Sequence, residues 1–96
     1  MDAYLLLIHD NEKTPTRDEE WEQFFEAARS SGMFHGGSEV GRREILGGPA
    51  TVPSSSHIVG YIRFETADRA LLLELLKRHP VVLHGGTVEL CELPRS

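Results

Sequence analysis

The sequence predicts an α+β domain in which four strands and two helices follow one another in the order β-α-β-β-α-β. Three observations lead to this prediction: a nearly continuous apolar run near the start, two segments with helical periodicity, and a later segment in which apolar and polar residues alternate. The chain has 96 residues. This length suits one domain, and we treat residues 1–96 as that single domain.

The first strand and the first helix have the clearest patterns. Residues 4–9, YLLLIH, are apolar at nearly every position, which predicts a strand covered on both faces. Residues 16–31 predict a helix, with Thr16 and Glu19 as a capping box at its start. The apolar face of this helix is formed by Trp21, Phe24, Phe25 and Ala28.

The middle of the chain predicts a hairpin. Residues 38–46 are polar and charged, as is typical of an exposed edge strand. Residues 47–56 are rich in glycine, proline and serine, which predicts a loop. Residues 57–65 alternate, so that one face of this strand carries Ile58, Gly60, Ile62 and Phe64.

The last third of the chain predicts a helix, a turn and a strand. The leucine-rich residues 67–78 predict the helix, with Thr66 as its N-cap and Pro80 as its stop. His84-Gly85-Gly86 predicts the turn, and residues 87–93 predict the final strand. This order is that of a ferredoxin-like fold, with an antiparallel four-stranded sheet in the order 4-1-3-2 and both helices on one face.

Composition excludes several classes of protein. Fifteen acidic against ten basic residues give a net charge of −5, which argues against an electrostatic nucleic-acid binder. The apolar runs are far shorter than the roughly 20 residues that span a bilayer, and no signal peptide is visible. The single cysteine, Cys91, cannot form an internal disulfide. We therefore expect a cytoplasmic protein that binds neither nucleic acid nor membrane.

The sheet face away from the helices, called the open face below, is predicted to be half apolar and half polar. A bare patch of leucine, valine and tyrosine in water predicts that a second copy covers it. Two such faces stacked together make a homodimer of the dimeric α+β barrel type, with a small-ligand cavity at the interface. The open face consists of Leu5, Leu7, His9, Val59, Tyr61, Arg63, Glu89 and Cys91.

Three histidines at strand ends are predicted to gather at one edge of the sheet, with Asp10 beside them. His9 and Asp10 suit an acid–base pair, since a carboxylate can fix the tautomer of a histidine. The alternative is a partly buried strand-end histidine followed by a turn residue. His9, His57 and His84 also raise the possibility of a zinc site, but their spacing fits no compact metal motif. We predict no metal and no cofactor.

Two other residues of the open face suit a ligand. Arg63 presents a fork of donors for a carboxylate, and Tyr61 lies beside it on the same strand face. The alternative is that Arg63 forms an intersubunit or cross-strand pair with Glu89. Cys91 has no base near it in sequence and is expected to be inert.

Residues 80–94, PVVLHGGTVELCELP, resemble the ending of YCII-related domains. The opening YLLLIHDNE resembles their first strand, and FHGGS at residues 34–38 resembles the start of their second. The resemblance implies a dimeric ferredoxin-like α+β fold. Most such domains have no assigned reaction, although some are thought to use an aspartate at the end of the first strand with a histidine. One branch includes a dehydrochlorinase of chlorinated hydroxyquinones. Asp10 stands at roughly the aspartate position, whereas the first helix contains no histidine.

Together these patterns predict a small-molecule-binding domain. If it acts as an enzyme, we expect acid–base chemistry on a small polar or aromatic compound, with His9 carrying the proton and Asp10 orienting it. The ligand-binding residues are then Tyr61, Arg63, His57, His84 and Glu89. The alternative is a non-catalytic dimerisation or ligand-sensing module.

Overall fold

A computed structural model describes residues 1–48 and 55–94 of the chain, which form one four-stranded antiparallel sheet and three helices. The strands are β1 (Asp2–His9), β2 (Phe34–Glu39), β3 (Ile58–Thr66) and β4 (Val88–Leu93). The helices are α1 (Asp18–Ser30), α2 (Arg69–Leu76) and α3 (Pro80–Leu83). The sheet order is β2-β3-β1-β4. The predicted α+β class with a four-stranded antiparallel sheet is confirmed, and α3 is an additional helix.

The core lies between the sheet and the helices. Leu6 of β1 pairs with Ile62 of β3 on one side and with Leu90 of β4 on the other. Since side chains alternate along a strand, every second residue of β1 and β3 points to the same layer. The alternation therefore predicted this layer correctly. Its buried residues are Tyr4, Leu6, Ile8, Ile62 and Phe64 from the sheet with Phe24, Ala28, Leu72, Leu75, Leu76 and Val81 from the helices.

The predicted position of β2, residues 38–46, is wrong: the strand is Phe34–Glu39. Its backbone approaches β3 so closely that a Cβ on Gly37 would collide with the carbonyl oxygen of Tyr61. Gly37 therefore belongs to β2 and takes part in its pairing with β3, whereas the sequence placed this residue just before the strand. Beyond the strand, Arg43 donates to the carbonyl oxygen of Ile58. Residues 49–54 of the predicted loop lie outside the described part of the chain.

The predicted capping box of α1 is also wrong, by one residue. The carboxylate of Glu20, not that of Glu19, accepts the backbone N–H of Arg17 at 2.8 Å. Thr16 instead accepts the indole N–H of Trp21 at 2.9 Å. Because Thr16 holds the indole, it fixes an aromatic residue of the apolar face and does not cap the helix.

The start of α2 differs from the prediction in a similar way. Its N-cap is Asp68, whose carboxylate accepts the backbone N–H of Leu71 at 3.0 Å. The predicted cap, Thr66, is the buried last residue of β3 and accepts the backbone N–H of Asp68. The strand thus continues one residue further than its alternation indicated, and aspartate, a preferred N-cap residue, starts the helix.

Pro80 was predicted to stop the second helix, but it begins α3. Proline lacks an N–H, so it fits the first position of a helix, where that group has no intrahelical partner. His79 precedes it as the N-cap, and its Nδ1 accepts the backbone N–H of Val81 at 3.1 Å. The His79 ring is fully buried, with T-shaped contacts to Trp21 at 4.9 Å and Phe24 at 4.7 Å.

The environment of His79 favours its neutral form. Because Nδ1 accepts a hydrogen bond, the ring proton is on Nε2, which has no hydrogen-bond partner among the described residues. The rings of Trp21 and Phe24 pack against the imidazole and cannot replace water around a charged imidazolium. Burial therefore lowers the pKa of His79 from its ordinary 6.5 to about 4.

Within the described ranges, none of the helices has the length and apolar content required to cross a membrane.

We expect the free energy of unfolding to fall as pH drops from about 6.5 to about 4. In this window the unfolded chain binds a proton at His79 that the folded chain does not, and the shift corresponds to roughly 3 kcal/mol. His79→Asn keeps a capping side chain but removes the titrating ring, so the pH slope should flatten. Urea unfolding across this pH range measures the slope. The matched control, His57→Asn at an exposed position, should keep it. Equal slopes for His79→Asn and the wild type would contradict the assignment.

Candidate functional site

The middle of the open face is formed by two parallel rows of residues that cross three strands. In one row Leu7 of β1 lies between Tyr61 of β3 and Glu89 of β4. In the next row Leu5 lies between Arg63 and Cys91. The side chains of this face remain partly accessible, with Tyr61 39% and Val59 36% exposed. Polar groups therefore flank a central pair of leucines.

His9 has a carboxylate partner on the neighbouring strand. Its Nε2 donates to Oε1 of Glu89 at 3.0 Å, and its ring lies 5.3 Å from the ring of His57. A register shift between Ile8 and His9 interrupts the regular pairing with β3 at this point. The two histidines and Glu89 thus meet at the end of β1, where the regular ladder stops.

Asp10 does not take part in this pair. Its backbone N–H donates to the carbonyl oxygen of His57 at 2.8 Å, and its exposed carboxylate makes no hydrogen bond to any described residue. Sequence reasoning paired His9 with the adjacent residue, but neighbouring residues on a strand point to opposite faces. Glu89 can be identified as the partner of His9 only from the pairing register of β4 with β1, in which Glu89 lies opposite Leu7.

Arg63 and Tyr61 are the polar groups of the open face that remain available. Leu5 and Cys91 occupy the row of Arg63, and Glu89 is taken by His9. Within residues 1–48 and 55–94, neither the Arg63 guanidinium nor the Tyr61 hydroxyl has a hydrogen-bond or ion-pair partner. The expected pairing of Arg63 with Glu89 inside one chain is therefore not formed.

His84 turns away from the other two histidines and toward the start of α1. Its Nε2 lies 2.9 Å from both carboxylate oxygens of Glu20, and its Nδ1 lies 2.7 Å from Oγ1 of Thr14. The described residues contain no group of three or more His, Cys, Asp or Glu side chains that could hold a metal ion. The three strand-end histidines therefore do not converge on one centre.

The carboxylate of Glu20 accepts hydrogen bonds from both His84 and the backbone of Arg17. The hydrogen bond from His84 and then the backbone N–H of Arg17 stabilise its charged form, so its pKa lies below the ordinary 4.5. The sequence offered one signal for this role, because Glu20 lies in the first turn of a helix, where carboxylates commonly accept backbone N–H groups. Its contact with His84, 64 residues away, had no signal in the sequence.

Two concavities of the described chain lie away from the open face. One, of about 320 Å³, lies between Met1 and Glu92, and the other, of about 370 Å³, lies between α1 and α2 near Leu75. Neither includes His9 or Arg63. A cavity at the open face therefore requires a second molecule to close it.

Compared with protein-family models, curated proteins and solved structures, the chain shows no match.

We expect the pKa of Glu20 to lie below 4.5 and to rise toward that value in His84→Asn, because asparagine removes the imidazole N–H that the carboxylate accepts. An NMR titration of the Glu20 side-chain carboxyl carbon measures both values. His35→Asn, at an exposed histidine that contacts Glu65, is the matched control and should leave the Glu20 titration unchanged. An unaltered titration in His84→Asn would disprove the contact.

Proposed function

We propose that the chain is one protomer of a homodimer in which two open faces stack and enclose a site for a small aromatic or polar anion. The observation that carries this proposal is the composition of the open face. Leu5 and Leu7 form its centre. Around them lie an accessible Tyr61, a hydrogen-bonded His9–Glu89 pair and Arg63, which has no partner among the described residues. The proposal includes the ferredoxin-like, YCII-related class, the dimeric barrel assembly and a cytoplasmic location.

Charge complementarity supports a second copy as the partner of this face. If the two-fold axis of the dimer runs along β1, β3 of one copy lies over β4 of the other. Arg63 then faces the row of the second copy that contains its Cys91. In that copy Glu89 lies two residues from Cys91 along β4. The Arg63 guanidinium, which has no partner within residues 1–48 and 55–94, thereby gains a carboxylate within the reach of its side chain.

The polar groups suit an anionic ligand. The guanidinium of Arg63 offers parallel donors that match a carboxylate or phenolate, and the ring of Tyr61 offers an aromatic surface. His57, beside His9, extends the polar rim. Since each row of the open face has polar residues on both sides of a leucine, a flat compound with one charged end fits it best.

The His9–Glu89 pair suits proton transfer. An ionised carboxylate only accepts hydrogen bonds, so the neutral His9 ring carries its proton on Nε2 and leaves Nδ1 free to take a proton from a ligand. In this proposal Glu89, in place of Asp10, orients the imidazole. His84 belongs to a different cluster and has no part in this site.

A second candidate function is a dimerisation or ligand-sensing module without catalysis. The exposure of Glu89, whose side chain is 56% accessible, favours it, because the carboxylate oxygen that does not contact His9 can pair with Arg63 of another copy. Such a pair would use the charged groups of the face for assembly and leave none for a substrate.

We expect a dimer in sedimentation equilibrium, and a monomer for Leu7→Glu, because a buried, unpaired carboxylate at the centre of the interface costs several kcal/mol. The matched control is Leu83→Glu, at a leucine of α3 that is 60% exposed, and it should stay dimeric. Circular dichroism establishes that both variants are folded. A wild-type monomer at concentrations up to about millimolar would refute the assembly.

We expect benzoate and related aromatic carboxylates to raise the melting temperature of the wild type, and Arg63→Met to bind them roughly 10- to 100-fold more weakly, because a charge-assisted hydrogen bond is lost. NMR titration measures the affinities. The control, Arg69→Met on the exposed start of α2, should bind normally. An intact dimer that binds none of these compounds would favour the non-catalytic module.

A further inference from the structure

Thr14, His84 and Glu20 form a continuous hydrogen-bonded chain outside the open face. Thr14 lies in the segment between β1 and α1, His84 follows α3, and Glu20 is in the first turn of α1. Oγ1 of Thr14 lies 2.7 Å from Nδ1 of His84, and Nε2 of His84 lies 2.9 Å from both oxygens of Glu20. A hydroxyl, an imidazole and a carboxylate are thus joined in series.

The direction of the protons in this chain follows from the carboxylate. Glu20, with its lowered pKa, is ionised near neutral pH and can only accept, so the neutral imidazole carries its proton on Nε2. Nδ1 is then an acceptor, and the Thr14 hydroxyl donates to it. This is the arrangement in which an imidazole acts as the base for a hydroxyl nucleophile and a carboxylate fixes its tautomer.

Backbone contacts hold the three residues in place. The N–H of Lys13 donates to the carbonyl oxygen of His84 at 2.8 Å, which joins the segment before Thr14 to the turn after α3. Gly86 in that turn approaches the same segment so closely that a Cβ would lie 2.9 Å from the backbone nitrogen of Glu12. The Arg17 N–H holds Glu20 from the other side. Little rearrangement is therefore needed before a reaction at Thr14.

The differing solvent exposure of the three side chains also suits a nucleophile at Thr14. The side chains of His84 and Glu20 are only 20% and 16% exposed, so their hydrogen bond is partly shielded from water. Thr14 is exposed and can be reached by a molecule from solution. The less accessible end of the cluster is the carboxylate, and the more accessible end is the hydroxyl.

We propose that Thr14 is an acyl-accepting nucleophile for small activated esters, with His84 as its general base and Glu20 as the positioning residue. Thr14 Oγ1 forms a bond to the ester carbonyl carbon while its proton moves to Nδ1 of His84. The bond to the leaving oxygen then breaks, and the proton on His84 passes to that oxygen. Water repeats the sequence on the acyl-threonine ester and releases the acid. No oxidant, reductant or further reactant is required.

The test uses p-nitrophenyl acetate with the full chain, followed by p-nitrophenolate release and by mass spectrometry of the peptide that contains Thr14. We expect an acetyl ester on Thr14 in the wild type and in Thr14→Ser, and none at this position in Thr14→Val. Glu20→Gln should slow acetylation of Thr14 roughly 100-fold. Glutamine is neutral, so it no longer stabilises the imidazolium that forms when His84 takes the proton, and an amide that donates to Nε2 would place the imidazole proton on Nδ1.

Thr87→Val is the matched control, because the hydroxyl of Thr87 accepts from Asn11 and makes no hydrogen bond to a histidine among the described residues. It should be acetylated at Thr14 at the wild-type rate. Thermal unfolding of every variant establishes folding, and Thr14→Ser keeps the test decisive if valine destabilises the loop. The proposal is overturned if wild-type Thr14 carries no acetyl group, or if Glu20→Gln acetylates it as fast as the wild type. Binding at the open face uses none of these residues and should be unchanged in Thr14→Val.

Discussion

The pairing of β1 with both of its neighbours is the constraint on which the rest of the structure depends. β1 is an inner strand, and Leu6 at its middle is fully buried between Ile62 and Leu90. A slip of one residue would move every side chain of β1 to the opposite face. Leu5 and Leu7 would then enter the core, and Leu6 would enter the open face. The helix-facing layer and the open face are therefore fixed by a single register.

The helical layer depends on a second, more local arrangement around His79. This residue caps α3 through Nδ1 and inserts its ring between Trp21 and Phe24 of α1. Thr16 in turn holds the indole of Trp21. A neutral imidazole is needed here, because it accepts a backbone N–H and packs against two aromatic rings. A phenylalanine would supply only the packing, and a charged histidine would lose the cap. The polar atom thus sets where α3 starts, and α3 ends directly before His84.

The sequence predicted those parts of the fold that depend on alternation along one element. Tyr4, Leu6 and Phe64 were assigned to the core because side chains alternate on a strand, and this rule needs no knowledge of neighbours. β2 was misplaced because its pairing rests on a close backbone approach at Gly37, which a hydropathy pattern does not report. The helix starts were missed by one or two residues, since several polar residues near each start were equally suitable caps.

The candidate sites were harder to predict than the core for the same reason. His9 was identified from its place at a strand end, but its partner Glu89 is distant in sequence and adjacent only through the β1–β4 register. His84 was assigned to the wrong neighbours, because the direction of its side chain depends on where α3 ends. No pattern within α3 indicates that this end faces the first turn of α1. Such contacts become visible only when two elements are placed together.

The two histidine–carboxylate pairs of this chain differ in how much of their geometry a single protomer supplies. Glu89 is 56% exposed and lies on an uncovered face, so the His9–Glu89 pair gains a low-dielectric environment only if another molecule covers it. Glu20 is held by a backbone N–H, is 16% exposed, and has a third group, Thr14, already on the far side of the imidazole. Preorganised hydrogen bonds cost no rearrangement at the moment of reaction. The proposed chemistry at Thr14 therefore requires one folded chain, whereas the proposed chemistry at His9 requires the proposed dimer, so dilution below the dissociation constant of that dimer would separate the two.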